Sequence, residues 1–218
     1  MTSWIDICNQ ALRLIGGGAI QSLNEPSEEA RHCSLFLAPS RRSLLASHAW
    51  NCATVWANPP VMAEAGKKEA PFWPYRYAFA LPAGYLRMLR VETGLPTGSL
   101  ATGAGRPAPY QVIRWKEQPA LICDMERPTL VCLVDVPDPT FISPAILDAL
   151  VYLLASKLAL GVAEAEGKAR LFEQKYKEAL QVAMLNDARE GHEQIPLDDT
   201  WLRERDGTGP WRPMEMLL

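Results

Sequence analysis

Apolar residues recur at helical spacing in four stretches of the chain, and at strand spacing in a block between the second and third of them. The longest helical run lies between Ser143 and Glu190, and the rest of the chain is organised around it. Ser143 suits an N-cap and Pro144 the first helical position, where its missing N–H is not needed. Beyond it Ile146, Leu147, Leu150, Val151, Leu153, Leu154, Leu158 and Leu160 cover most of the circumference, as in a helix central to a bundle. Asp148, Ser156 and Lys157 interrupt this run and make insertion in lipid costly, so no membrane span is expected. Gly161 fits a C-terminal cap. A second helix, Ala165 to Glu190, carries Leu171, Phe172, Tyr176, Ala179, Leu180, Ala183 and Met184 on one stripe, with Glu173, Lys175, Lys177 and Glu178 decorating the other face. At the standard rise it would be roughly 35 to 40 Å long. The two read as a long helical hairpin that offers much surface to neighbours.

The amino-terminal part predicts two further helices. Thr2 or Ser3 can cap the first, which places Trp4, Ile7, Cys8, Ala11, Leu12 and Ile15 at helical spacing and stops at Gly16, Gly17 and Gly18. That glycine triplet is no phosphate loop, since a helix precedes it and no Lys-Ser or Lys-Thr follows. Asn24 to Glu29 is a dense helix-start signal, with cap candidates, an early proline and acidic residues at the positive end of the dipole. The second helix runs to about His48, with Pro39 expected to kink or pause it and Trp50 packed on the core beyond it.

From Val55 to Phe72 the chain reads as loop, and beyond it the period changes. Tyr75 to Leu81, Leu86 to Glu92, Tyr110 to Trp115, Ala120 to Cys123 and Thr129 to Val136 predict about five strands. Gly94 to Pro109 reads as a long hairpin tip. The fold class expected is therefore α+β: an antiparallel helical bundle with a long hairpin, interrupted by an inserted small antiparallel β lobe and followed by an extended C-terminal arm. The boundaries are 1–58 for the first helical part, 71–141 for the β lobe, 142–190 for the hairpin and 191–218 for the arm. The arm holds Trp201, Leu202, Pro210, Trp211, Met216 and Leu217, more apolar surface than a solvated tail normally carries. It is read as docking on a partner.

Composition narrows the function. With 218 residues, 48% hydrophobic and 22% charged, the chain resembles an ordinary globular protein. A net charge of −3 argues against gripping nucleic acid over the whole surface. Met1 to Ile7 shows no secretory signal, so synthesis in the cytosol is expected. The odd set Cys8, Cys33, Cys52, Cys123 and Cys132 has no C-x-x-C spacing and suggests neither a disulfide framework nor a zinc site. His32, His48 and His192 are scattered. His48 beside Ser47, with Arg41 and Arg42 earlier, could be drawn as a hydrolase site, but no nucleophile elbow or metal-binding His spacing accompanies it. Glu28-Glu29 is explained by helix capping and Asp198-Asp199 by solvation. No catalytic residue, cofactor or metal is assigned.

Several segments, in order, resemble the head-to-tail adaptor proteins of short-tailed phages, of the tail tubular protein A type. They are Ile7-Cys8-Asn9-Gln10-Ala11-Leu12-Arg13-Leu14-Ile15-Gly16, Ile20 with Ser22-Leu23, Ser27 to Arg31, and Arg41-Arg42-Ser43-Leu44-Leu45 on to His48-Ala49-Trp50-Asn51. Tyr77 to Pro82 with Tyr85-Leu86-Arg87 resembles the strand pair of that family's β insertion. Ala155 to Leu160 with Phe172, Tyr176 and Ala188-Arg189-Glu190 resembles its helical hairpin. Gly94 to Pro109 has no counterpart. The resemblance implies a structural virion protein, assembled in the host cytoplasm, that forms a ring of roughly twelve copies, a dodecamer, closed by a repeated side-to-side contact. Its partners would be the portal protein above, through the helical lobe and the arm, and the downstream tail (nozzle) protein below, through the β lobe. DNA would pass through the lumen as cargo. Phe172, Tyr176 and Leu180 are the candidates for the subunit interface. Two other readings are a monomeric phage assembly or tail-completion factor and a virion-associated cell-wall hydrolase.

Overall fold

Local capping chemistry fixes the first helix, α1 (Trp4–Ile15). The Asp6 amide donates to the Ser3 hydroxyl at 3.1 Å, and the Ser3 amide donates back to the Asp6 carboxylate at 2.9 Å, a reciprocal capping box. At the other end Gly16 sits at φ 87°, which only glycine adopts freely, and its N–H and that of Gly17 return to the carbonyls of Arg13 and Leu12. Asn9 then pins the following loop to α1. Its side-chain amide donates to the Ile20 carbonyl at 2.9 Å and accepts from the Ile20 N–H at 2.7 Å.

The computed structural model describes residues 3–66, 75–92, 109–162 and 165–190. Within them the molecule is mixed α+β, with four helices and two antiparallel sheets. The second helix, α2 (Glu28–Ser47), starts at Ser27, whose hydroxyl accepts from the Ala30 amide. It runs through Pro39 without the expected pause. Pro39 and Leu35, the residue four before it, are both exposed, so the carbonyl that the proline leaves unpaired lies on the wet face. Trp50 is completely buried and its indole N–H donates to the Leu44 carbonyl.

Among the described residues seven strands follow before the third helix. Sheet one has the order β1 (Thr54–Ala57), β7 (Thr129–Val134), β4 (Tyr85–Glu92). Sheet two has the order β2 (Val61–Glu64), β3 (Tyr77–Ala80), β6 (Gln118–Cys123), β5 (Tyr110–Trp115). Five of these match the expected strands; β1 and β2 fall in the segment read as loop. Both are four-residue strands with one neighbour each, and Pro59 and Pro60 between them carry the chain from one sheet to the other. The Gly94 to Pro109 stretch, expected as a hairpin tip, lies outside the described residues but for Pro109, and the strands on either side of it, β4 and β5, belong to different sheets. The tight hairpin is instead β5–β6, where Lys116 and Glu117 take φ of 44° and 69° and Trp115 pairs with Gln118.

β7 explains the layering. Leu130 lies in a small core with Phe79, Val91, Leu121 and Cys123, between the two sheets. Leu133 belongs to the large core formed with the helices. Covered on both sides, the strand reads as a nearly continuous apolar run rather than an alternation. The third helix, α3 (Pro144–Gly161), is the centre of the large core and packs against α1, α2 and the fourth helix, α4 (Glu166–Glu190). It is the one described helix long and apolar enough to cross a membrane, and half of that stretch is buried inside this molecule. Gly161, expected as the C-terminal cap, precedes the cap residue Val162. It is the last helical residue, and a Cβ there would lie 2.8 Å from His32 Nδ1, so glycine permits α2 and α3 to approach.

Candidate assembly surfaces

α4 has two faces of different character. On the inner one Phe172 and Ala183 are buried, and Tyr176, Ala179, Leu180 and Met184 pack half-buried against the large core. Burial raises the Tyr176 phenol above its ordinary pKa. Each end of the helix is held by a polar contact. Near the start, Lys168 Nζ donates to the Ile15 carbonyl at 2.7 Å, placing a cation at the C-terminus of α1. Near the end, the buried Asp187 carboxylate accepts from the Asn51 amide at 3.1 and 3.3 Å, while Asn51 Nδ2 donates to the Asp187 carbonyl at 2.9 Å. His48 Nε2 stands 3.8 Å from the same carboxylate, with its ring edge-on to Trp50.

The outer face of α4 exposes Leu171, Val182 and Leu185 at 50, 54 and 61%. Lys177 and Glu173 pair at 2.9 Å nearby, a contact that lowers the Glu173 pKa. Of the residues expected at a subunit interface, Phe172 belongs to the protomer's own core, and Tyr176 and Leu180 line the same side. What these three leave for a neighbour is small. The unused apolar surface lies one helical face away, and its signal is the spacing of 11 and then 3 residues from Leu171 to Val182 to Leu185. The arm candidates Trp201, Leu202, Pro210, Trp211, Met216 and Leu217 lie outside the described residues, as do His192, Asp198-Asp199 and Lys67-Lys68.

A second polar junction joins the helices to sheet one. Arg41 donates from Nε and a terminal nitrogen to both oxygens of Asp135, at 2.8 and 2.7 Å, and its guanidinium lies 5.0 Å from the centre of the Trp4 ring. The Trp4 indole N–H donates to the Pro137 carbonyl. Asp135 is held in turn through its amide, which donates to the Gly84 carbonyl at 2.8 Å. Arg41, drawn from sequence as a possible catalytic neighbour of His48, is thus a brace between α1, α2 and the strand ends. Ser47 is equally committed, its hydroxyl donating to the Leu44 carbonyl at 2.7 Å.

Two surface hollows accompany these braces. A cleft of about 810 Å³ opens beside β2 and the β6–β7 turn, with Tyr77, Glu64, Glu126 and Arg127 among its walls. A smaller groove of about 300 Å³ lies between α1 and α3, lined by Gln10, Arg13, Leu14, Asp148, Val151 and Tyr152. Among the described residues no group of three or more His, Cys, Asp or Glu side chains is arranged to hold a metal ion. All five cysteines are free thiols. Hydrogen bonding to Cys33, together with burial, holds the Cys8 thiol above its ordinary value, and burial, with a smaller contribution from Asp187, pushes Cys52 up to about 11. Such thiols are poor nucleophiles. In comparisons with known proteins, no family model and no curated protein matches the chain.

Proposed function

We propose that this chain is a structural subunit of a tailed-phage virion, a head-to-tail adaptor that forms a ring under the portal and joins it to the tail while DNA passes through the lumen. The observation that carries the reading is how the buried and half-buried polar contacts are used. Asp187, Lys168 and Arg41 each tie one element to another, and the same molecule leaves apolar side chains uncovered along the outside of its longest described helix. A braced body with apolar surface left over suits a part whose remaining contacts come from other subunits. The ordered sequence resemblance to head-to-tail adaptors supplies the kind of assembly. On this reading α3 and α4 are the long helical hairpin, the two sheets, which take in β1 and β2 as well as strands of the expected 71–141, are the lobe facing the nozzle protein, and 191–218 is the arm that grips the portal through Trp201 and Trp211.

The test is attachment. Full-length chain mixed with the portal protein should form rings visible by cryo-electron microscopy, and a chain ending at Glu190 should keep its thermal unfolding transition but fail to attach. Attachment undiminished by the truncation, or no attachment by the full chain, would refute the proposal.

A further inference from the structure

The exposed residues of α4 fall on a line that the core-facing stripe does not explain. Leu171, Lys175, Glu178, Val182, Leu185 and Arg189 follow one another at alternating steps of four and three, and all six are exposed. That is the spacing of a seam made for another surface, on a helix whose opposite side is already buried. On α1 and α3, the groove of about 300 Å³ is lined by the apolar Leu14, Val151 and Tyr152 together with Gln10 and the charged Arg13 and Asp148. The seam carries Lys175, Glu178 and Arg189 beside its apolar side chains and the groove carries Arg13 and Asp148, so Glu178 can face Arg13 and Lys175 can face Asp148. Within a protomer the Glu178 carboxylate accepts a hydrogen bond from Gln174 Nε2, one turn back on the same helix, at 3.2 Å.

We infer that the outer seam of α4 docks into the α1–α3 groove of a second copy of this chain, a head-to-tail contact rather than a two-fold one. The inference deepens the ring reading, on which it rests for the closing of the assembly but not for the contact itself. A two-fold pairing of the seam with itself is disfavoured by charge: the antiparallel register that sets Leu171 against Leu185 sets Glu178 against its own copy. The groove offers Glu178 an opposite charge instead. Size points the same way. From Leu171 to Leu185 the seam spans about 21 Å, and a strip ~10 Å wide covers roughly 200 Å², well short of the ~800 Å² per partner of a stable pair. One such contact is weak, but each copy can make two, and a template that gathers copies raises their effective concentration. The isolated chain is therefore monomeric when dilute.

Two measurements decide the matter, both on the full chain. A photo-crosslinking benzoylphenylalanine at position 185 should give intermolecular products at ~0.5 mM chain, where contacts this weak are populated. Their peptides should map to Gln10–Leu14 or Asp148–Tyr152. Products mapping to α4 of the second copy, to residues 191–218 of the same chain, or no intermolecular product at all would each overturn the inference. Charge reversal provides the second arm: Arg13→Glu and Glu178→Arg should each weaken self-association about fivefold. The double variant should regain most of it, because the exchanged charges meet between copies. A double variant no better than the singles would overturn it as well. If the crosslinks and the rescue appear but the chain does not attach to the portal, the contact stands and the adaptor reading falls; attachment without them gives the converse.

Discussion

At Gly161 two effects of opposite sign compete. Replacing a helical glycine by alanine ordinarily stabilises by up to ~1 kcal/mol, but here the new methyl would meet three atoms of the His32 ring, the nearest at 2.8 Å. That ring is stacked near Phe36, and overpacking of this kind costs about 1–3 kcal/mol. Gly161→Ala is therefore expected to destabilise by ~1 kcal/mol, a fall in Tm of about 2–4 °C. In a His32→Ala background the same change should turn stabilising, and thermal unfolding of the four proteins of that cycle checks the reversal of sign. Asp187 offers a different separation. Asp187→Ala leaves the Asn51 N–H without its acceptor and should cost about 1–3 kcal/mol, whereas Asp187→Asn keeps an acceptor and should retain most of the stability. Equal losses for both would mean that the charge near His48, not the hydrogen bond, holds α4 in place.

The helices and sheet one meet through Arg41 and Asp135, whose side chains are only 13% and 17% exposed. Removing one partner strands the other charge in a partly dry site, so Arg41→Met should destabilise by about 2–3 kcal/mol. Arg41→Met with Asp135→Asn should cost less than the two changes summed. Because the Asp135 amide is bonded to the Gly84 carbonyl, hydrogen exchange should quicken first at the β4 and β7 ends next to this brace. Equal exchange in variant and parent would show that the sheet does not depend on it. The helices on either side of this junction were legible because Ser3, Ser27, Gly16 and Pro144 mark their ends by local chemistry. β1 and β2 were not, since a four-residue edge strand owes its state to the partner it meets, and Pro59 and Pro60 resemble a loop. The role of Gly161 was hidden for the same reason: only the position of His32 on another helix separates a close approach from a C-terminal cap. In α4 the inner stripe was readable from its period. The outer seam escaped because Leu171 counts equally well toward either face.

Across the molecule, the ionisable groups predict a broad stability plateau with two shoulders. On the acid side, Asp6, Glu25 and Asp138 are held below their ordinary values, chiefly by hydrogen bonds from Ser3, from Ser27 and from the Thr140 amide. Their contributions are complete above the ordinary carboxylate range and are lost as pH falls through the lowered values. On the alkaline side the sign reverses. Burial raises Cys52, Cys123 and Cys132 above the ordinary thiol value of 9.0, Cys52 to about 11. Between those two values the unfolded chain loses a proton that the folded chain keeps, so the folded state is progressively disfavoured, by at most about 1.4 kcal/mol per pH unit for each such thiol. Tyr85 and Tyr176, also raised by burial, extend the decline higher. Stability should thus be flat near neutral pH and fall from about pH 9, well before lysines titrate. Tm measured from pH 7 to 10.5 in reducing buffer checks this, with Cys52→Ala as the control. That variant should start somewhat lower at pH 7 and then decline less steeply, because one of the thiols that distinguishes folded from unfolded chain is gone. Parallel curves for parent and variant would mean that Cys52 ionises as readily in the folded protein as in the open chain, and that its surroundings at the α4 brace are wetter than the packing of Trp50, Asn51 and Asp187 implies.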